Sequence, residues 1–399
     1  MAGVLSGVRV LDLTNVLAGP YCTYQLALLG AEVIKVETPG TGDLARQLGA
    51  DPALNRDLMG ASFLAQNSGK ASVTLNLKAA RGRELFRKLV KTADVVVENF
   101  RPGVMDRLGV GYETLKADNP KLIYCAISGF GQAGPMRDAP AYDQIVQGLS
   151  GLMSVTGDAE TAPLRVGYPV ADTFGGMTAA FAVSAALAGR AKSGEGACID
   201  VSMLDAAISS MGWIVSNYLI AGQEPRPMGN DNFTAAPSGT FRTAEGLLNI
   251  AANKQEQFEA VAELIGKPHL AKDPRFAERE SRKTNRAALT AEIEAVLLTR
   301  PSADWERLFN EAGVPAGRVL TVPEALELEQ VKARRLIREL APVEGVGRKV
   351  SVSVGGFRLN GPLPTPAPPP GLGEHTARIL GELGLSAGEI AALAEEAVT

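Results

Sequence analysis

One carboxylate stands out in the sequence. Asp172, in the stretch RVGYPVADTFGG (165–176), is the only charged residue between Arg165 and Arg190. The residues after it predict a long apolar helix, where an ionised carboxylate is costly to desolvate unless it is hydrogen-bonded or paired. As a helix N-cap, it would accept hydrogen bonds from free N–H groups of the first turn. As a nucleophile, it would attack a carbonyl carbon at a helix N-terminus, beside glycines that let a ligand approach the backbone. Its position alone leaves both interpretations open.

Other groups that commonly do chemistry are scarce. The chain has two histidines, His269 and His375, so a Ser-His-Asp or Cys-His triad would need one of them, and a His-rich metal site is excluded. Three widely spaced cysteines argue against a disulfide framework or a zinc site. The first loop, TNVLAGPYC (14–22), has one glycine before a proline and not the G-x-G-x-x-G of a dinucleotide site. Chemistry is therefore expected from carboxylates, backbone donors or cofactor atoms, and no metal is predicted.

The elements that must position Asp172 alternate between strand and helix. Apolar segments predict strands at 8–13, 31–37, 72–77, 93–100 and 121–129, with helices at 20–30, 80–91 and 112–117. Buried strands separated by helices indicate a parallel sheet covered on both faces. We therefore predict an α/β fold with a Rossmann-like large domain. A helix at about 174–190, a strand at 196–203 and a helix at 204–222 follow.

Turn-rich segments divide the chain. The stretch QEPRPMGNDN (223–232) is a natural exit from the first domain. We predict a large domain over 1–225, a smaller α/β domain over 226–325, and a return to the large domain over 326–399. The returning segment is predicted to contain a strand at 348–359, a stiff proline-rich connector at 361–371 and a terminal helix.

Composition excludes several classes of protein. The 399 residues include 40 Lys and Arg against 44 Asp and Glu, with no basic run, which argues against nucleic acid as a partner. The N-terminal segment lacks the features of a signal peptide. The longest apolar segment, 174–189, is short and interrupted by polar residues and glycines, so a buried helix is expected there and no membrane partner. A cytoplasmic protein with reduced thiols is predicted.

Seven stretches, in order, resemble the class III CoA-transferases, the formyl-CoA and carnitine CoA-transferase group. They are GVRVLDLTNVLAGPYCTYQLALLGAEVIKVE (7–37), NSGKASVTLNLK (67–78), ADVVVENFRPGVMDRLG (93–109), AISGFGQAGPMRDAPAYD (126–143), RVGYPVADTFGG (165–176), NEAGVPAGRVLTVPE (310–324) and LGEHTARILGELG (372–384). The resemblance implies a Rossmann-like large domain with a smaller one, in an interlocked homodimer. It also implies that Asp172 is the catalytic aspartate, acylated by a CoA thioester that is a substrate and not a tightly bound cofactor.

The resemblance further assigns residues to the site. It implies CoA contacts by Val16, Leu17, Ala18, Leu75, Asn76, Leu77, Lys78, Asn99, Phe100, Arg101 and Arg107, and a substrate pocket near Tyr142, Asp143, Gly229 and Asn230. Many relatives have an arginine where this chain has Thr38, and Arg46 or Lys78 is a candidate to replace that phosphate contact.

Three functions stay open. A CoA-transferase is favoured over an α-methylacyl-CoA racemase. The racemase branch of the family also resembles this chain, but it pairs the aspartate with a histidine in a segment like AGHD. This chain has PAYD there, with Tyr142 in place of the histidine. A phenol is a poor base at neutral pH. The third alternative is a non-catalytic CoA- or nucleotide-binding protein. For a transferase, small dicarboxylates such as succinate, mesaconate, itaconate or citramalate are expected, with transfer within one molecule left open. Oxalate and formate are less expected, because the glycine run of formyl-CoA transferases is reduced here to Gly229.

Overall fold

The computed structural model describes residues 3–399, and they divide into two compact units. The first comprises the described residues up to Leu152, Arg165–Gln223 and Gln330–Thr399; the second comprises Met153–Leu164 and Glu224–Glu329. The changes of unit near 223 and 329 lie close to the boundaries predicted at 225 and 325. The short segment 153–164 was predicted within the large domain but packs with the second unit.

A parallel six-stranded sheet forms the centre of the first unit. Its strands are β1 (Arg9–Asp12), β2 (Glu32–Glu37), β3 (Lys70–Thr74), β4 (Val95–Glu98), β5 (Ile123–Ser128) and β6 (Ala197–Ser202). Their order is β3-β2-β1-β4-β5-β6, the arrangement of a doubly wound dinucleotide-binding sheet. Leu11 of β1 pairs with Ile34 of β2 and Val96 of β4. The predicted α/β class and the Rossmann-like sheet are confirmed.

Helices cover both faces of this sheet. In chain order they are α1 (Ala18–Leu28), α2 (Pro52–Arg56), α3 (Ala61–Asn67), α4 (Ala80–Val90), α5 (Val104–Arg107), α6 (Tyr112–Asp118), α7 (Asp143–Leu149), α8 (Val170–Ser193), α9 (Met203–Ser210) and α10 (Gly212–Ala221), with short 3₁₀ helices at Leu44–Gln47 and Leu152–Val155. The single helix predicted at 204–222 is interrupted at Met211, so that prediction was wrong in detail. One apolar core contains residues of α4, α6 and the sheet, and another contains residues of α1, α8 and the sheet.

The second unit has its own sheet and core. Its strands β7 (Ser238–Arg242), β8 (Leu247–Ala251) and β9 (Ala316–Arg318) are antiparallel in that order. Its helices are α11 (Gln255–Leu264), α12 (Arg279–Thr284), α13 (Arg286–Leu297), α14 (Ser302–Glu311) and α15 (Val322–Leu326), with a 3₁₀ helix at Pro268–Lys272. Phe258, Phe276 and Phe309 are fully buried in its core.

The end of the chain returns to the first unit. It contains α16 (Glu329–Arg334), β10 (Ile337–Glu339), β11 (Ser351–Ser353), α17 (Thr376–Glu382) and α18 (Ala387–Glu395). The strand predicted over 348–359 is only three residues long, since its antiparallel partner β10 is equally short. The His375 backbone N–H donates to the Ser72 carbonyl, and its Nδ1 accepts from the Ser72 N–H. This histidine therefore ties the start of α17 to the outer strand β3.

The long helix α8 is buried along one face only. Among residues 3–399 it is the one helix long and apolar enough to cross a membrane, with 39% of its most apolar window buried. Core helices of water-soluble proteins meet the same criterion. Ala179 and Val183 are fully buried, whereas Phe181 is 75% exposed. The helix expected to be buried is thus buried along one face, and its outer face is exposed.

Candidate active site

The first turn of α8 holds Asp172, but this residue is not the helix cap. The N-cap position is Pro169, which has no side-chain cap. Asp143, the first residue of α7, supplies the missing acceptor: its Oδ1 accepts from the Ala171 N–H at 2.9 Å and from the Asp172 N–H at 3.4 Å. The N-cap interpretation of Asp172 is therefore wrong, because a carboxylate from another helix caps α8. The sequence places Asp143 nearly 30 residues away and carries no signal for this contact.

Asp143 is itself held in place. It is buried, and its Oδ2 accepts from Gln147 Nε2 at 2.7 Å. Gln147 Oε1 accepts in turn from the Val166 N–H at 2.9 Å, so the amide joins α7 to the segment leading into α8. Gln147 was not identified from the sequence. Its spacing from Asp143, four residues on a helix, is a signal that could have been read once α7 was predicted.

The Asp172 carboxylate has no hydrogen-bond or ion-pair partner among residues 3–399. Burial, followed by the charge of Asp143, raises its pKa from the ordinary 3.8 to about 7. The side chain is only partly buried, so a ligand can reach it. A carboxylate that is poorly solvated and unpaired at neutral pH is a good oxygen nucleophile.

The first loop lies beside Asp172 because α1 and α8 pack in close contact. A Cβ on Gly176 would lie 2.4 Å from the Ala18 carbonyl oxygen, so no side chain fits between the two helices there. Asp172 is one helical turn, about 6 Å, before Gly176 on the same face. Ala18, one of the predicted CoA-contacting residues, therefore lies about one turn of α8 from the predicted nucleophile, and Val16 and Leu17 directly precede it in the chain.

The start of α1 presents free backbone donors. Its N-cap, Leu17, has no side-chain cap, and Pro20 has no N–H to offer. The N–H groups of Leu17, Ala18 and Gly19 make no hydrogen bond of ordinary geometry among residues 3–399, although Ala18 and Gly19 are buried. Buried backbone donors are rarely left without a partner. These donors are available to hydrogen-bond an oxyanion that forms beside Asp172.

Other predicted CoA contacts follow strands β3 and β4. Leu75 is buried, Asn76 Oδ1 accepts from the Lys78 N–H at 3.1 Å, and Leu77 is half-buried. The Asn99 amide is engaged with the first loop, since its Oδ1 accepts from the Asn15 N–H and its Nδ2 donates to the Asn15 carbonyl, both at 2.8 Å. Asn99 thus orients the loop. Phe100 is half-buried next to it.

Exposed cations surround this region. The side chains of Lys78, Arg101 and Arg107 are exposed and have no carboxylate partner among residues 3–399. Arg137 joins them: its Nη2 and the Nη1 of Arg107 lie 3.5 and 3.0 Å from the position of a Cβ on Gly103. The two guanidinium groups thus meet over one glycine, an arrangement suited to phosphate. Arg137 was not singled out in the sequence, although it lies within the stretch 126–143 that carries the resemblance.

Arg46 does not replace the arginine that relatives have at position 38. Its side chain is fully buried and pairs with both carboxylate oxygens of Glu37, at 2.7 and 2.8 Å. It also donates to the Leu58 and Pro370 carbonyls. All of these bonds are internal, so this candidate was wrong, and Lys78 is left as the exposed one.

The residues predicted at the substrate pocket fall in both units. Tyr142, in the first unit, precedes α7 and is 70% exposed. Gly229 and Asn230 belong to the second unit, where they line a polar cavity together with Asn249 and Gly239. Gly229 has φ +59°, and its N–H donates to the Gly157 carbonyl. His269 is in the second unit as well, in the 3₁₀ helix that follows α11.

The sequence comparison decides the family. Residues 5–376 match the sequence model of CoA-transferase family III. The chain belongs to this family. It is 42% identical over 352 residues to an acetyl-CoA:oxalate CoA-transferase from Acetobacter aceti, with 88% of this chain and 90% of that protein covered. It is 38% identical to a succinate–glutarate CoA-transferase from Agrobacterium fabrum, with 95% of each chain covered.

Solved structures agree with this assignment. A CaiB/BaiF family protein from Brucella suis superposes with a TM-score of 0.83 at 37% identity, covering 96% of this chain and all of that one. The protein is therefore a class III CoA-transferase, whose substrates are CoA thioesters and carboxylic acids. Of the three functions left open by the sequence, the transferase is confirmed.

Proposed function

We propose that this CoA-transferase moves CoA from an acyl-CoA thioester to a small dicarboxylic acid, with Asp172 as the nucleophile. The observation that carries the proposal is the state of the Asp172 carboxylate. It lies in the first turn of α8 beside the first loop, has no partner among residues 3–399, and is relieved of the capping role by Asp143. Such a group is poised to bond to a substrate carbon.

The reaction then proceeds through the aspartate in four steps. An Asp172 oxygen attacks the thioester carbonyl carbon, the C–S bond breaks, and CoA leaves as the thiolate with a mixed anhydride on Asp172. The thiolate attacks the aspartyl carbonyl, which releases the donor acid and forms an aspartyl-CoA thioester. The acceptor carboxylate attacks that thioester, giving a second anhydride and free thiolate. Attack of the thiolate on the acceptor's acyl carbon forms the new acyl-CoA and restores Asp172.

The surrounding groups take defined roles in this scheme. The free N–H groups at the start of α1 stabilise the oxyanion of each tetrahedral intermediate. Lys78, Arg101, Arg107 and Arg137 bind the CoA phosphates, since they are exposed and lack acidic partners among residues 3–399. No histidine is required, because the thiolate and the carboxylates are already ionised when they act.

The substrate class is inferred from the two relatives. One is named for oxalate and the other for succinate and glutarate, and all three are dicarboxylates. Oxalate is less expected on the sequence argument, but the similarity to an oxalate enzyme places it among the acids to be tested. The donor is proposed to be the CoA thioester of a short carboxylic acid, since one relative is named for acetyl-CoA.

The test is a matrix of acyl-CoA donors and carboxylic acids, followed by chromatography of the CoA esters. Donors are acetyl-, succinyl- and glutaryl-CoA, and acceptors are oxalate, succinate, glutarate, mesaconate, itaconate and citramalate, with butyrate as a monocarboxylate control. We expect transfer to at least one dicarboxylate and none by Asp172→Asn. Incubation with acyl-CoA and hydroxylamine should convert Asp172 to its hydroxamate, detected by peptide mass spectrometry. Full turnover by Asp172→Asn would contradict the mechanism, and preference for butyrate would contradict the substrate class.

We also propose that the enzyme is a homodimer. The outer face of α8 exposes Phe174, Met177 and Phe181, and α10 exposes Trp213 and Ile220, the last at 86%. Large apolar side chains that are exposed together on one face are usually covered by a partner. Light scattering should give twice the mass of the 399-residue chain, and Phe181→Asp should lower that mass more than Val4→Asp does. A monomeric wild-type enzyme would contradict the proposal.

A further inference from the structure

Four ionisable side chains are buried together beneath the first loop. Asp12, Lys35, Asp43 and Lys70 are all less than 5% exposed. Lys35 Nζ lies 2.9 Å from Asp43 Oδ2, and Lys70 Nζ lies 2.9 Å from Asp12 Oδ2. Buried ion pairs of this kind can often be replaced by apolar residues without loss of stability. Their presence therefore calls for an explanation beyond stability.

The Lys35–Asp43 pair holds the backbone of the first loop. Lys35 Nζ donates to the Thr14 carbonyl at 2.7 Å. Asp43 Oδ1 accepts from the Val16 N–H at 2.9 Å while its other oxygen meets Lys35. The same Oδ1 accepts from the Ala45 N–H at 2.8 Å, which fixes the carboxylate itself. With Asn99 holding Asn15 on both sides, each residue from Thr14 to Val16 is tied by a side chain.

The loop needs such restraint because Val16 is in a strained conformation. Its φ is +67°, in the left-handed region that β-branched residues rarely adopt. Without restraint, a valine would turn to negative φ and rotate the peptide that follows it. That peptide carries the Leu17 N–H, the first of the free donors at the start of α1.

We propose that Lys35 and Asp43 are positioning residues for CoA transfer: they hold Val16 in the left-handed conformation, which aims the Leu17 peptide at the carbonyl attacked by Asp172. This inference rests on the proposed function. Neither residue contacts the reacting atoms, so both act through the loop. Misalignment of a reacting group by about 1 Å can cost about 100-fold in rate, and the free donors act only on charge that develops in the transition state. We call the hydrogen bonds from Lys35 to Thr14 and from Val16 to Asp43 the clamp. Loss of the clamp should lower kcat and leave the KM for acyl-CoA nearly unchanged.

The chain offers a matched control. Lys70 is a lysine of equal burial on the neighbouring strand, and it also pairs with Asp12. Its Nζ donates to the Pro20 carbonyl and to Thr23 and Asn67 side chains, with no contact to residues 14–17. Lys35→Met and Lys70→Met thus remove similar charges, but only the first removes a direct hydrogen bond to the loop backbone. Lys70 reaches the loop only through Asp12, whose Oδ1 accepts from the Thr14 N–H.

The experiment measures kcat, KM and amide hydrogen exchange for four changes. We expect Lys35→Met and the milder Asp43→Asn to lower kcat about 10- to 100-fold, with KM within about threefold of wild type. Exchange in the peptide spanning 13–18 should rise in both. Lys70→Met should keep kcat within about threefold. In a Val16→Gly background, where glycine adopts positive φ without strain, Asp43→Asn should cost less kcat than it does with Val16 present.

Several results would overturn the inference. It fails if Lys70→Met lowers kcat as much as Lys35→Met, if the loss appears in KM, or if Asp43→Asn costs the same with glycine at position 16. Should Lys35→Met not fold, Asp43→Asn and its glycine background decide the question. Hydrogen exchange of the free protein tests the clamp without turnover. Absence of transfer by the wild-type enzyme would therefore refute the proposed function, whereas unchanged exchange would refute the clamp.

Discussion

Replacing Asp172 by asparagine should abolish CoA transfer and at the same time stabilise the protein above pH 7. Burial and the neighbouring Asp143 raise the pKa of Asp172 from 3.8 to about 7, so the folded protein binds this proton more tightly than the unfolded chain. Each tenfold difference in proton affinity is worth about 1.4 kcal/mol, so ionisation of Asp172 destabilises the fold by about 4 kcal/mol at pH 8. Because the carboxylate is partly exposed, solvent screening reduces this destabilisation to roughly half, about 2 kcal/mol. Asparagine has the same shape without the charge and avoids this cost.

The sign of the pH dependence makes the prediction specific. Between pH 4 and 7 the wild-type protein should lose stability as pH rises, because the folded state keeps a proton that the unfolded chain has lost. The Asp172→Asn variant lacks this contribution. Its free energy of unfolding should equal that of the wild type near pH 4 and exceed it by about 2 kcal/mol above pH 7. Urea unfolding of both proteins at pH 4.5, 6 and 8, followed by circular dichroism, measures the difference.

A second aspartate serves as the control for this prediction. Asp143→Ala removes the acceptor that caps α8 and should destabilise the protein by about 1 kcal/mol. Two results would refute the account of Asp172 as a buried, unpaired carboxylate. One is an Asp172→Asn variant that is less stable than the wild type at every pH, and the other is a difference in free energy of unfolding that does not increase with pH.

Three further predictions concern the same unit. The kcat/KM for acyl-CoA should decrease as the pH is lowered, with a midpoint near pH 7, since Asp172 must be ionised to attack. Asp143→Asn should move this midpoint to lower pH because it removes a neighbouring negative charge. A kcat/KM that is constant from pH 5.5 to 9 would contradict this prediction. Gly176→Ala should lower the midpoint of thermal unfolding and the activity, because its Cβ would meet the Ala18 carbonyl oxygen. Gly189→Ala is the control: it lies in open space on the same helix and should stabilise the protein by about 0.5–1 kcal/mol. Equal effects of the two variants would refute the close packing of α1 and α8. Arg107→Ala should raise the KM for acyl-CoA about tenfold at nearly constant kcat and leave KM unchanged for an acyl-pantetheine without phosphates, and an equal rise for both would exclude phosphate binding.

The sequence predicted the large domain well because its signals are local. Runs such as VVVE in β4 are buried on both faces, and this pattern is typical of a parallel sheet. Asp172 could be singled out for a related reason, since it is a lone charge in an apolar segment. Short elements with weak periodicity were missed, since α3 and α7 contain few apolar residues at helical spacing. The strand that became β11 was predicted too long, because its partner β10 has only three residues.

Relations between distant residues could not be predicted in this way. Arg46 looked like a free cation in the sequence, but contact with Glu37 and with the Pro370 carbonyl, more than 300 residues away, makes it part of the core. Arg137 was not assigned a role from the sequence, yet folding brings it to Arg107 over Gly103. The charge of a residue is known from the sequence, but its availability depends on what folding places beside it.

The amino-acid sequence by itself determined the α/β class, the parallel sheet and the short set of residues able to do chemistry, since hydrophobic periodicity and residue type are properties of the chain. Only the tertiary structure decided what Asp172 can do. A carboxylate in the first turn of a helix can cap that helix or remain free, and the choice depends on whether another acceptor reaches the same N–H groups. Asp143 reaches them from α7. Burial then raises the pKa of Asp172, and packing of Gly176 against Ala18 sets it beside the first loop.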